Sequence, residues 1–303
     1  MSFTSNTDEL TREYFDSIMI TPRYLMNDKQ DSLANALPDT SFELWGKTYA
    51  MPITTAALSH LHNVCENGMR EFALGAGKAN TLHMVGMCEE DELDEILSTG
   101  ADTVKIVKPL VNEDDIFAKI EHAKRGGATA IGMDIDHAFS PDGNYDNVFG
   151  LVMRPKTRAQ LESYVKACGD IPFIVKGVLS VEDAVKCVEA GAKGIIVSHH
   201  HGMMNSMTPP LMVLPEIKDA VKDEMTIFTD CGFRNGMDVY KALASGADAV
   251  CVGRTLMDAL KGGSEAVAGK LIQMNKELIT VMGRTGCRCL KDIDSSVLRF
   301  RNF

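Results

Sequence analysis

One phrase recurs four times along the chain: Thr99-Gly-Ala-Asp-Thr-Val-Lys-Ile-Val107, Gly126-Gly-Ala-Thr-Ala-Ile-Gly-Met-Asp134, Ala190-Gly-Ala-Lys-Gly-Ile-Ile-Val-Ser198 and Ser245-Gly-Ala-Asp-Ala-Val-Cys-Val-Gly253. Each is a Gly-Ala turn followed by a short apolar run. Each is preceded by a segment with apolar residues at spacings of three and four, as in Val181–Glu189 and Gly236–Ala244. Glycine takes the left-handed backbone of a helix terminus without strain, and an apolar run without polar alternation suits a strand buried on both faces. The phrases are therefore helix-to-strand joints of a parallel sheet.

Four more runs complete the pattern: Met51–Ala57, Thr81–Gly86, Ile171–Gly177 and Met225–Asp230. Eight alternating strand and helix units in about 200 to 250 residues predict an α/β fold of the (β/α)8 TIM-barrel type. The runner-up, an open doubly wound sheet, would carry a G-x-G-x-x-G after its first strand, and none is present. No linker divides the chain, so 1–303 reads as one domain. Residues 1–50 form an N-terminal arm with a helix-like segment from Asp8 to Ile20. In such a barrel chemistry gathers where strands end. The strand ends here are polar: Ser59, Lys108, Asp134 to His137, Lys176, Ser198 to His201, Asp230 and Arg254.

Charge narrows the partners. With 31 Lys+Arg against 42 Asp+Glu the net charge is -11, which opposes binding to phosphate backbones or anionic membranes, so no nucleic-acid or membrane partner is expected. The opening residues show no basic and apolar leader, and no apolar run approaches the roughly 18 residues of a membrane span; the expected compartment is the cytoplasm. The eight cysteines lack C-x-x-C pairing and read as reduced thiols; Cys287-Arg-Cys289 is a weak motif, and no metal is assigned to it.

Two basic glycine loops stand out late in the chain, Thr229-Asp-Cys-Gly-Phe-Arg-Asn-Gly236 and Val252-Gly-Arg-Thr255. They follow the seventh and eighth strands, where barrels hold phosphate, and Arg234 and Arg254 add planar donors suited to it. The plainer alternative makes Asp230 and the arginines rim salt bridges.

Phe173-Ile-Val-Lys-Gly-Val178, Leu214-Pro-Glu-Ile217, Asp230–Gly236, Asp238–Val250, Gly253-Arg254 and the tail Glu277–Cys287 together resemble the FMN-dependent α-hydroxy acid oxidases and dehydrogenases, the group of glycolate oxidase, lactate oxidase and flavocytochrome b2. The likeness reaches back through Thr21–Leu25 and Met51–Ile53. It implies FMN, a small-molecule substrate and a homo-oligomer, often tetrameric in that family. It also implies roles. Lys176 falls on the lysine facing the flavin N1–O2 edge, where a fixed cation favours the reduced ring. Asp230, Gly232, Arg234, Gly253 and Arg254 fall on ribityl and phosphate contacts, and Ser198 on a flavin contact. Ala57, Leu58 and Ser59 lie against the ring, and Gly86 and Asp134 are assigned to the same cofactor surface. His200 falls on the catalytic base and Asp136 on the carboxylate that orients it. An imidazole near neutral pKa with a carboxylate partner is a usable base.

The resemblance fails where a substrate carboxylate should bind. Met203 stands in place of the arginine after the base, removing a bidentate clamp. The segment from Tyr14 to Thr21 is too short for the family's tyrosine loop, and Thr103–Lys108 lacks its glutamine and tyrosine, leaving open whether Lys105 or Lys108 points inward. Lys108, His137 and Met203 are the candidate substrate contacts. Three readings follow: oxidation of a hydroxylated carbon with His200 as base, a reductase or isomerase using the same flavin, or a noncatalytic metal site from His199, His200, His201, His137, Asp134 and Asp136. Adjacent strand residues point to opposite faces, so at most two of the three consecutive histidines could reach one ion.

Overall fold

The computed structural model describes residues 5–25, 36–140 and 142–301. An N-terminal helix, α1 (Thr7–Ser17), leads into a short strand, Ile18–Ile20, that pairs antiparallel with Leu298–Phe300. The helix expected over Asp8 to Ile20 thus stops at Ser17. The β-branched Ile18 and Ile20 pair better with the C-terminal strand than they extend a helix.

Eight parallel strands follow: β1 (Ile53–Thr55), β2 (His83–Val85), β3 (Thr103–Val107), β4 (Ala130–Asp134), β5 (Phe173–Val178), β6 (Gly194–Val197), β7 (Thr226–Thr229) and β8 (Ala249–Val252). They hydrogen-bond in the order β1-β8-β7-β6-β5-β4-β3-β2, which is the circular order of a TIM barrel. Closure between β1 and β2 uses side chains in place of a full ladder. The Thr55 hydroxyl meets His83 Nδ1 at 2.9 Å and accepts from Met84 N–H, and Gly86 N–H donates to Leu58 O.

The expected Gly-Ala joints stand between helices and strands: α2 (Val181–Glu189) ends before Gly191, φ +83°, and α3 (Gly236–Ala244) before Gly246, φ +113°. Ser180, Asn235, Asn112 and Thr157 cap their helices by accepting from backbone N–H groups. The barrel interior is filled by Leu82, Met84, Val104, Ile106, Ile174, Ile196, Phe228 and their neighbours. A hairpin, Phe42–Leu44 with Lys47–Tyr49, puts Trp45 against Phe228 and caps the N-terminal end. The C-terminal end is left for function. Among the described residues no helix is long and apolar enough to cross a membrane.

Candidate active site

A cleft of ≈ 520 Å³ opens at the C-terminal end of the barrel, within the range of small-molecule sites. Of the residues singled out from sequence, Ala57, Leu58, Lys176, His200, His201, Asp230, Gly232, Arg234, Gly253 and Arg254 line it. One end is formed by Lys176 and His200, the other by the two arginine loops.

Lys176 is 3 % exposed. Its ammonium lies 3.1 Å from Asp134 Oδ1, 4.0 Å from Asp230 Oδ2 and 3.1 Å from His200 Nδ1. Burial alone would lower its pKa, but Asp134, Asp136 and Asp230 more than reverse that and hold it charged. Asp134 is equally buried and also pairs with Lys108 Nζ at 2.5 Å. Burial works to raise its carboxyl, and the two lysines hold it well below the usual range.

His200 sits in the left-handed region, φ +61°, with its N–H donated to Ser198 Oγ at 2.8 Å. That local turn aims the ring back at the cluster, and Nδ1 lies 3.1 Å from Asp136 Oδ1. Asp136 is admitted by Gly177, φ +88°, at a bulge in β5: a Cβ there would lie 2.5 Å from Asp136 Cγ. Lysine, glycine and aspartate are therefore coupled by geometry as well as by sequence. On its far side His200 Nε2 faces His137 Nε2 at 3.3 Å, and His137 Nδ1 meets Asp146 Oδ2 at 2.7 Å.

Other candidates lie outside the cleft. Ser59 accepts from Met87 N–H and fills the space beside Gly86, at the β1–β2 closure. Met203 is half-buried and does not line the cleft, so as a substrate wall it finds no support. The open question on β3 resolves with both lysines engaged: Lys105 is buried and donates to Gly86 O, while Lys108 reaches Asp134. The three histidines diverge. His199 is fully buried with Nε2 on Thr11 Oγ1 at 2.7 Å, and His201 is exposed. Asp134, His137 and His200 do come within 4.8 Å of one another, but two ammonium groups already occupy Asp134, which disfavours a cation there.

Sequence reasoning missed Asp8, Arg12, Cys231 and Asp146. Asp8 and Arg12 share one face of α1 at i,i+4, which marks a face without saying where it docks. Arg12 grips Asp238 and Gly232 O, and both Asp8 oxygens accept from Arg254 at 2.7 Å. Cys231 holds φ +69°, where a glycine would be unstrained, with its thiol donating to His200 O.

The sequence matches the FMN-dependent dehydrogenase family over residues 2–169 and 152–300. The chain belongs to that family. It is 29% identical over 322 residues to a peroxisomal (S)-2-hydroxyacid oxidase of Arabidopsis thaliana, covering 95% of this chain and 86% of that one. It is 27% identical over 337 residues to an L-lactate oxidase of Nostoc, covering 96% and 90%. Among solved structures, a mandelate oxidase superposes with TM-score 0.88 at 27% identity, over 99% of this chain and 93% of that one, and another of its structures, at TM-score 0.87, carries an FMN adduct. The protein is thus a flavoenzyme of the FMN-dependent dehydrogenase family. Its cleft fits FMN on its own evidence. Arg254 already presents both guanidinium arms to an anionic oxygen pair at one end, and a buried lysine held charged by neighbouring aspartates stands at the other.

Proposed function

We propose that the protein oxidises the hydroxylated carbon of a 2-hydroxy acid or a related hydroxy compound, with His200 as base. The observation that carries this is the array of half-buried Asp136 and His200 with buried Lys176 at the mouth of the barrel. Arg234, Arg254, Gly232 and Gly253 would hold the FMN phosphate and Asp230 the ribityl chain, with Ala57 and Leu58 against the ring. Bound FMN supplies the hydride acceptor. Asp136 takes the Nδ1–H of His200, which leaves the Nε2 lone pair for the substrate hydroxyl. Lys176, held charged by three aspartates, stabilises negative charge that develops on the cofactor edge. The Asp134 carboxylate beside Lys176 dilutes the lysine's field, and Lys108 offsets it.

The test is anaerobic mixing of the purified holoenzyme with glycolate, L-lactate and L-mandelate while flavin absorbance is followed. Bleaching by at least one supports the reading. A second reading, a reductase or isomerase on the same flavin, draws on the loss of the usual clamp: Met203 lies off the cleft and Lys108 is spent on Asp134. It is favoured if none of the hydroxy acids bleaches the flavin and NADH or NADPH does. A tetramer, carried over from the resemblance, and the cytoplasmic location expected from the sequence are both part of this proposal; size-exclusion chromatography with light scattering tests the first.

A further inference from the structure

His137 and Asp146 duplicate, on the other side of the base, the geometry of His200 and Asp136. His137 Nδ1 lies 2.7 Å from Asp146 Oδ2, the two Nε2 atoms face each other at 3.3 Å, and the rings meet edge to face with centroids 4.4 Å apart. If each Nδ1–H points at its own aspartate, two Nε2 lone pairs confront each other, which is repulsive unless one proton lies between them. If instead Lys176 donates to His200 Nδ1, His200 must carry its hydrogen on Nε2 and donate it to His137. Only the first arrangement can act as a base: both Nε2 atoms start bare, and the one proton that arrives from the substrate lies between them and relieves their repulsion.

We propose that His200 and His137 act as one two-imidazole base: the proton that His200 Nε2 takes from the substrate hydroxyl passes to His137 Nε2, with Asp146 positioning the acceptor. The step moves one proton and needs no further reactant. His137 becomes an imidazolium donating from Nδ1 to Asp146, and His200 returns to neutral. The surroundings favour a pair that holds one proton and resist a second. Lys108 at the end of β3 and Lys176 on β5 face the pair as cations; Asp134 on β4, Asp136 just after it, Asp146 and Asp230 face it as anions; and His201 lies beside it. Burial, then Lys108 and His200, lower the pKa of His137, with Asp146 opposing them, so His137 is neutral and ready to accept near pH 7.

The inference rests on His200 as base, so its test is independent of turnover. In the oxidised holoenzyme, the Cε1–H resonances of His200 and His137 are followed by NMR from pH 4 to 9, with assignments from single variants. Sharing predicts that both rings report the same first transition. It also predicts that His137→Gln moves the His200 midpoint by at least about one pH unit, and that Asp146→Asn, which keeps the shape but removes the charge, moves it in the same direction. Independent titrations, with His200 unmoved by both variants, would overturn the proposal. Flavin absorbance confirms that each variant is folded and loaded. A separate arm, the rate of flavin reduction in His200→Ala, reports on the base itself: an unchanged rate sinks that assignment whatever the NMR shows.

Discussion

Replacing Lys176 by methionine removes the ammonium at the centre of the buried charge cluster and keeps most of its volume. Lys176 is 4 % exposed at its side chain and Asp134 3 %, so solvent screens the pair little. Deleting one partner of a buried pair costs about 3–5 kcal/mol because the other charge is stranded. Asp134 retains Lys108, but Asp136 and Asp230 lose their shared cation, which places the expected loss at about 3 kcal/mol at pH 7, or a fall in Tm of roughly 6 °C. The assay is urea unfolding of flavin-free wild type and Lys176→Met in parallel, so that cofactor linkage does not contribute. The pH dependence carries the sign. In the wild type, burial works to raise Asp134 and Asp136, and the lysines hold both below the ordinary range. Their contribution is present above the unfolded carboxyl pKa, about 3.9, and is lost as pH falls below it. In the variant Asp134 keeps Lys108, whereas Asp136 loses the largest influence that lowered it, so its carboxyl rises and protonates on acidification, and the folded state gains. The stability gap must therefore narrow between pH 7 and pH 4. A loss under about 1 kcal/mol, or a gap that widens in acid, would refute the reasoning.

Two further outcomes follow. Gly177→Ala places a methyl 2.5 Å from Asp136 Cγ on a backbone at φ +88°, so it should displace Asp136 and slow flavin reduction at least about tenfold while FMN still binds; an unchanged rate contradicts the Asp136 assignment. Asp8→Asn frees Arg254 from a carboxylate that competes with the cofactor phosphate. The pair is partly exposed and worth about 0.2–1 kcal/mol, so FMN should bind up to about fivefold more tightly in a fluorescence-quenching titration, and looser binding would show that Asp8 helps to seat the cofactor.

The barrel was legible because its signals are local: Gly-Ala joints, capped helices and apolar runs each declare an element, and all eight expected strands are present. Asp136, Lys176 and His200 could be placed because short motifs tie them to strand ends. What stayed hidden depends on contacts between distant segments. Nothing near Asp146 says that it turns toward His137, and nothing in α1 says that Asp8 reaches Arg254, 246 positions away. The choice between Lys105 and Lys108 was undecidable because both carry the same charge near one strand end; only the carbonyl and carboxylate offered by neighbouring strands separate them. The run of three histidines looked like a unit, and the left-handed turn at His200 sends each ring elsewhere.

The central claim is that His200 takes the proton of the substrate hydroxyl as the flavin is reduced. Stopped-flow reduction of wild type and His200→Gln under anaerobic conditions, with the hydroxy acid that bleaches wild type fastest, measures it directly. The substitution should leave the oxidised flavin spectrum and FMN affinity unchanged and lower the reduction rate by about 10²–10⁴. A variant that reduces its flavin within about threefold of the wild-type rate would contradict it.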